Sequence, residues 1–310
     1  MNLFDLHCDT ATSLLSRNQG LYKNDLHISL EKAQYLNNYA QVFAVWTHFK
    51  LSDAQGYARF FEAIDNLKNE IEANQETVAL ATDGKQLLSL LSSGKRAIIL
   101  SVEDARILEN DISRLDTLYS HGVRMMTMNW YGETCIGGAH DTHIGLSSFG
   151  VSAVKRCLEL GIIPDVSHSS FEGTEMIIDL AREYQKPVVA SHSDSYAVNP
   201  HTRNLRDADF ISVMELGGLV GINLCTEHLL LGGEAKLSDV IKHVEHYLSL
   251  GGENTVAMGG DLDGTSLPSE FCGISDIYKI ADEMQKLNYS NELIEKIMFK
   301  NAYEFFIKNL

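Results

Sequence analysis

Eight short runs of nearly continuous apolar, β-rich residues recur along the chain, each followed by a stretch with helical character. This alternation restricts the fold more than any other feature. The runs cover residues 3–7, 41–47, 97–102, 123–129, 162–167, 187–191, 218–224 and 255–260. Strands that face water on one side alternate polar with apolar residues. Runs that are apolar throughout are expected in a parallel sheet covered by helices on its faces. The clearest helix is expected over residues 53–75, where Tyr57, Phe60, Phe61, Ile64, Leu67 and Ile71 recur at spacings of three and four. Two more helical stretches, about 275–287 and 291–307, close the chain. Eight strand–helix pairs predict a (β/α)8 barrel, with residues 1–310 forming one domain. A doubly wound open sheet is the alternative, because it differs from the barrel by only a strand or two.

Charge and cysteine usage exclude several functions. The chain carries 25 basic and 42 acidic residues, a net charge of −17, and so lacks the basic surface a nucleic-acid partner requires. No basic segment followed by a long apolar run opens it, and no uncharged apolar stretch approaches the ~18 residues of a membrane span. The cysteines, Cys8, Cys135, Cys157, Cys225 and Cys272, are odd in number and show no CxxC spacing. Free thiols in a reducing cytoplasm are therefore expected.

In a barrel, functional groups sit at the carboxyl ends of the strands. Here those ends carry metal-ligand side chains: His7 and Asp9 after the first run, Glu103 after the third, His168 after the fifth, His192 after the sixth and Asp261 after the eighth. His7 and Asp9 are two apart on extended chain and point to one side, with Cys8 pointing away. Glu103 follows a run so apolar that its carboxylate needs a partner, and a carboxylate can bridge two metals. His168 and His192 occupy matching contexts, each delivered by a buried strand and flanked by serines. Asp165 and those serines are suited to orient the imidazoles. Five ligands are too many for one open zinc site, so two divalent ions are expected, zinc first among them. Asp261 is read as a proton carrier. Arg203, on the loop after the sixth run, is suited to grip a substrate carboxylate. His243 and His246 fall in a helical pattern and are read as surface residues; His140 and His143 are placed near the mouth. Nucleophile-elbow, P-loop and dinucleotide motifs are absent.

Several segments, in this order, make the chain similar to the renal (membrane) dipeptidase family of zinc peptidases: FDLHCDT at 4–10, LSVE at 100–103, GVRMMTM at 122–128 and GLSSFG at 145–150. IPDVSHSS at 163–170, PVVASHS at 187–193, RNL at 203–205, GGDLDG at 259–264 and KIMFKNAYEF at 296–305 follow. The resemblance runs nearly the whole length. It implies a (β/α)8 barrel with two zinc ions, one held by His7 and Asp9, the other by His168 and His192, with Glu103 bridging. It also implies that Arg203 binds the substrate carboxylate and that Asp261 contacts the amino group or carries the proton. The substrates implied are dipeptides, some with a C-terminal D-residue, cleaved by a hydroxide held between the metals; a homodimer is compatible with the family. The family's animal members have a histidine after the fourth strand where this chain has Trp130. A hydrogen bond to the oxyanion is then expected from Trp130, Asn129, His140 or His143. Two other readings stay open: a binuclear barrel hydrolase acting on cyclic amides, lactones or N-acyl amino acids, and a metal-binding relative without catalysis.

Overall fold

The computed structural model describes residues 1–47 and 50–310. Nine strands form one parallel sheet: β1 (Leu3–Cys8), β2 (Tyr39–Trp46), β3 (Val78–Leu80), β4 (Arg96–Glu103), β5 (Val123–Thr127), β6 (Ile163–Asp165), β7 (Val189–Ala190), β8 (Leu219–Ile222) and β9 (Val256–Met258). The order β2-β1-β9-β8-β7-β6-β5-β4 closes on itself because β2 also pairs with β4, from Ala40 opposite Ala97 to Trp46 opposite Glu103. Closure removes both sheet edges and settles the choice in favour of the eight-stranded barrel over the open sheet.

Each expected apolar run overlaps one barrel strand. The ninth, β3, was not expected. It is three residues long and pairs only with the start of β4, on the side where β5 takes over further up. The helix expected over 53–75 runs Asp53–Ala73, begun by a capping box between Ser52 and Gln55. The stretch expected over 275–287 opens with a 3-10 turn, Ile274–Asp276, and is α-helical over Tyr278–Lys286. The last expected helix is continuous from Asn291 to Asn309 but is underwound over Lys296–Lys300, where one turn is π-helical.

The barrel lumen is apolar in its lower part, filled by Phe4, Leu6, Val42, Ile99, Met125 and their neighbours. The C-terminal helices plug this end: Phe306 stacks on Phe4 with ring centroids 5.0 Å apart, and Phe299 lies beside them. A second apolar layer, with Leu3, Phe43, Ile98, Leu100 and Val102, joins the outside of the strands to the helices.

β1 departs from regular alternation at a decisive place. Its register against β2 advances from Asp5 opposite Gln41 to Cys8 opposite Phe43, three residues against two. This bulge lets His7 face the lumen side already occupied by Phe4 and Leu6, while Cys8 turns to the helix layer. Asp5 braces it, accepting from the His7 amide (3.0 Å), the Gln41 side chain (2.8 Å) and the Gly260 amide (2.8 Å).

Candidate metal centre and substrate cavity

Above the apolar floor the lumen turns polar. Glu103, the last residue of β4, lies at its centre and is 3% exposed. Its Oε2 is 3.5 Å from His7 Nε2, which is 3.6 Å from Asp9 Oδ2. Its Oε1 is 3.0 Å from His168 Nε2 and 3.7 Å from His192 Nε2. The five side chains expected as ligands thus converge, with one oxygen of Glu103 toward each pair. Asp261 joins His7 and Asp9 in a second cluster able to hold an ion.

The hydrogen-bond network determines the imidazole tautomers. Ser191 Oγ donates to Asp165 Oδ2 (2.5 Å), so the short contact from His192 Nδ1 to Ser191 Oγ (2.6 Å) must be donated by the ring. His168 Nδ1 donates to the Trp130 carbonyl (3.1 Å). Both Nε2 atoms are therefore bare lone pairs. They lie 3.0 Å apart and point at the same carboxylate oxygen. Burial and the Arg203 charge hold His168 well below the ordinary imidazole range; burial and His7 do the same for His192. Neutral lone pairs facing a carboxylate at these distances repel unless a cation or a proton lies among them. His7 Nδ1 and Nε2 and Asp9 Oδ1 are likewise buried without a hydrogen-bond partner.

The carboxylates give the same answer. Burial, reinforced by Asp9, pushes Glu103 up to about 8, and burial pushes Asp261 up to about 7. For His7, burial works against charge, but Glu103 and Asp9 outweigh it and hold the ring well above its ordinary value. Protein groups alone leave the cluster short of positive charge, and this donor set of imidazole nitrogen and carboxylate oxygen fits divalent ions. Gly264 keeps room for them, since a Cβ there would collide with both the Asp9 and Asp261 carboxylates.

The backbone bends sharply where these groups are delivered. His168, Asp261 and Asp263 adopt left-handed φ of 69°, 53° and 70°. Such conformations are costly for residues other than glycine and cluster at functional sites.

A cavity of about 460 Å³ opens over the cluster, lined by Asp9, Glu103, His168 and Asp261 on its floor. Arg203 reaches it although only 4% exposed. One guanidinium nitrogen donates to the His192 carbonyl (3.2 Å), while Nε and Nη1 are buried without an acceptor. Trp130 lines the wall, its ring 5.1 Å from Trp46 and 6.0 Å from His168.

Two expectations need correction here. Asn129 does not line the cavity; it is fully buried, donating to the Gly137 carbonyl (3.2 Å) and accepting from Ser169 (3.4 Å), and so braces the loop after β5. His243 is not a surface residue. It is fully buried, accepting from the Ser195 amide (3.0 Å) at Nδ1, which leaves Nε2 to donate to the Leu229 carbonyl (3.1 Å). Of the two loop histidines, His140 lines the cavity, whereas the His143 side chain is 91% exposed. Arg17, Trp46 and His228 are among the lining residues that were not anticipated. His228 lies well past the end of β8 on a short helix, Thr226–Leu229, beyond the strand ends where ligand types were sought.

Fold and site together define a parallel barrel with a buried cluster of imidazoles and carboxylates at its mouth, the donor set of a barrel metallopeptidase. The family model for "Membrane dipeptidase (Peptidase family M19)" matches residues 1–307, and the chain belongs to this family. Among curated relatives, a dipeptidase of Claviceps purpurea is 29% identical over 263 residues, covering 81% of this chain and 60% of that protein. An uncharacterized dipeptidase of Schizosaccharomyces pombe is 30% identical over 68% of this chain and 52% of its own length. The chain thus spans little more than half the length of these two relatives. Among solved structures, a Rhodobacter sphaeroides metallopeptidase liganded with a phosphinate mimic of L-Ala-D-Ala superposes with a TM-score of 0.91. It is 23% identical, with 100% of this chain and 99% of that one covered, and shares the fold. No helix among the described residues is long and apolar enough to cross a membrane.

Proposed function

We propose that this chain, acting as one domain over residues 1–310, is a dipeptidase that works with two divalent cations, zinc being the expected ion. His7 and Asp9 would hold one, His168 and His192 the other, and Glu103 both. The observation that carries this reading is the division of Glu103, with Oε2 toward the first pair at 3.5 Å and Oε1 toward the second at 3.0 and 3.7 Å. Bound there, the ions would supply Lewis acidity, lowering the pKa of water and polarising a peptide carbonyl.

The protein's own groups set what can react. Arg203 is buried with two unpaired donor nitrogens facing the cavity, suited to a carboxylate held in a bidentate grip. A carboxyl terminus anchored there, close to the ligand cluster, restricts the substrate to one residue on each side of the scissile bond, including one ending in a D-residue. Asp261, at the cavity floor and 3.5 Å from the Asn223 amide nitrogen, is placed to take a proton and pass it to the leaving amine. Trp130 and Trp46 exclude water along one wall. His140 is held through Nδ1 by Thr202 (3.1 Å) and is the cavity side chain we assign to the developing oxyanion.

The test is metal content of the purified chain together with hydrolysis of L-L and L-D dipeptides, with and without chelator. Two metals per chain, and activity lost to chelator and restored by zinc, support the reading. Two metals without dipeptide cleavage would turn it toward cyclic amides, lactones or N-acyl amino acids. A chain that binds no metal would overturn it.

A further inference from the structure

The cavity has a second cationic pole. The helix after β1, Thr10–Arg17, turns one face to it: Thr12, Ser13, Ser16 and Arg17, two pairs at i and i+4, all line the wall. Arg17 is exposed at the helix end, and among the described residues its guanidinium has no hydrogen-bond or ion-pair partner. Every other arginine of the chain donates a hydrogen bond to a protein acceptor. Behind it Arg59, paired with Glu62 (2.9 Å), donates to Ser16 (3.1 Å) and with Lys50 lines an adjoining recess. In a chain of net charge −17, an unpaired guanidinium at one edge of the cavity calls for an anionic guest. Asp263 of the wall is not paired with Arg17; its oxygens accept from the His27 amide (2.5 Å) and Thr10 (2.6 Å).

The two poles lie on opposite sides of the mouth. Thr12 ties the helix to β2 through the Trp46 amide (3.1 Å) and carbonyl (3.4 Å), while Arg203 is tied to the end of β7 through His192. β2 and β7 face each other across the ring, with β1, β9 and β8 between them one way and β4, β5 and β6 the other. A substrate whose carboxyl end rests on Arg203 crosses the ligand cluster and presents its amino-terminal residue to Arg17. We propose that the site selects dipeptides with an acidic amino-terminal residue, Asp or Glu, and that Arg17 recognises the side-chain carboxylate. This rests on the dipeptidase reading above.

Glu-Ala and Gln-Ala have the same shape and differ in that one charge, so the ratio of their kcat/KM values with the zinc-loaded chain is the measurement. Glu-Ala is expected to lead by about fivefold to tenfold, through KM, with the lead shrinking as salt is raised. Arg17→Gln should bring the ratio to near one, and Arg17→Glu should shift preference to Lys-Ala; the exposed position lets both variants fold. A ratio near one in the unaltered chain, or a ratio that survives Arg17→Gln, would overturn the proposal while leaving the dipeptidase reading in place. Cleavage of neither peptide, nor of Ala-Ala, removes that reading and this one with it.

Discussion

The two ends of the barrel solve opposite problems. At the floor, Phe4, Leu6, Ile99, Met125 and Phe306 fill the lumen with apolar volume. At the mouth, the same strands lead to buried imidazoles and carboxylates, several with bare lone pairs, and His168 and Asp261 stand on left-handed backbone. Packing is satisfied at one end and left deliberately incomplete at the other, where only cations and substrate complete it. The difference predicts that substitutions at the mouth cost activity and those at the floor cost stability.

Glu103→Gln probes the mouth most severely. Metal content by mass spectrometry should drop and kcat/KM should fall on the order of a thousandfold. The metal-free variant should melt no lower than the metal-free parent, because a costly buried charge has gone. An active, metal-loaded variant would show that the acid is not shared.

Phe306→Ala probes the floor. It should lose about 3–5 kcal/mol in urea unfolding, while the folded fraction keeps its metal stoichiometry. Loss of metal at full stability would dissolve the division between the ends.

His243 sharpens the comparison, since it is an imidazole buried away from the cluster. Burial lowers its pKa to about 4, against 6.5 when unfolded. Between those values the unfolded chain binds more protons. Stability from this group is therefore complete above about pH 6.5 and drains away as pH falls toward 4, by roughly 3 kcal/mol at most. His243→Asn should flatten that part of the pH–stability curve; an unchanged slope would locate the acid sensitivity elsewhere.

His140→Ala has the smallest expected effect. A fall in kcat of about tenfold to a hundredfold with KM and metal content nearly unchanged would fit donation to the oxyanion. An unchanged kcat would pass that role to Trp130.

Much of this arrangement was legible in the sequence because the barrel imposes a simple rule. Strands buried on both faces read as apolar runs, and ligand types placed right after them read as a site. His7, Asp9, Glu103, His168, His192 and Asp261 all obey it. The strand β3 escaped because its apolar run, Val78 to Ala81, is short and carries no ligand type at its end. His243 shared a helix face with Val240, Val244 and Tyr247; its place in that buried stripe was the available signal of burial. Arg17 and His228 lie on helices that only the closed ring folds back over the mouth, and no local pattern announces that. Asn129 was named for its place beside the histidine of the resembled family, and neighbourhood in sequence does not say which way a side chain turns once the chain has left β5.

The bulge in β1 makes phase, rather than composition, the selector of chemistry. In an unbroken strand the same letters would turn His7 and Asp9 onto the helices and bring Cys8 to the mouth. A single extra residue, held by Asp5, thus separates a nitrogen-and-oxygen cradle suited to hydrolytic metals from a lone thiol, at the end of one six-residue strand.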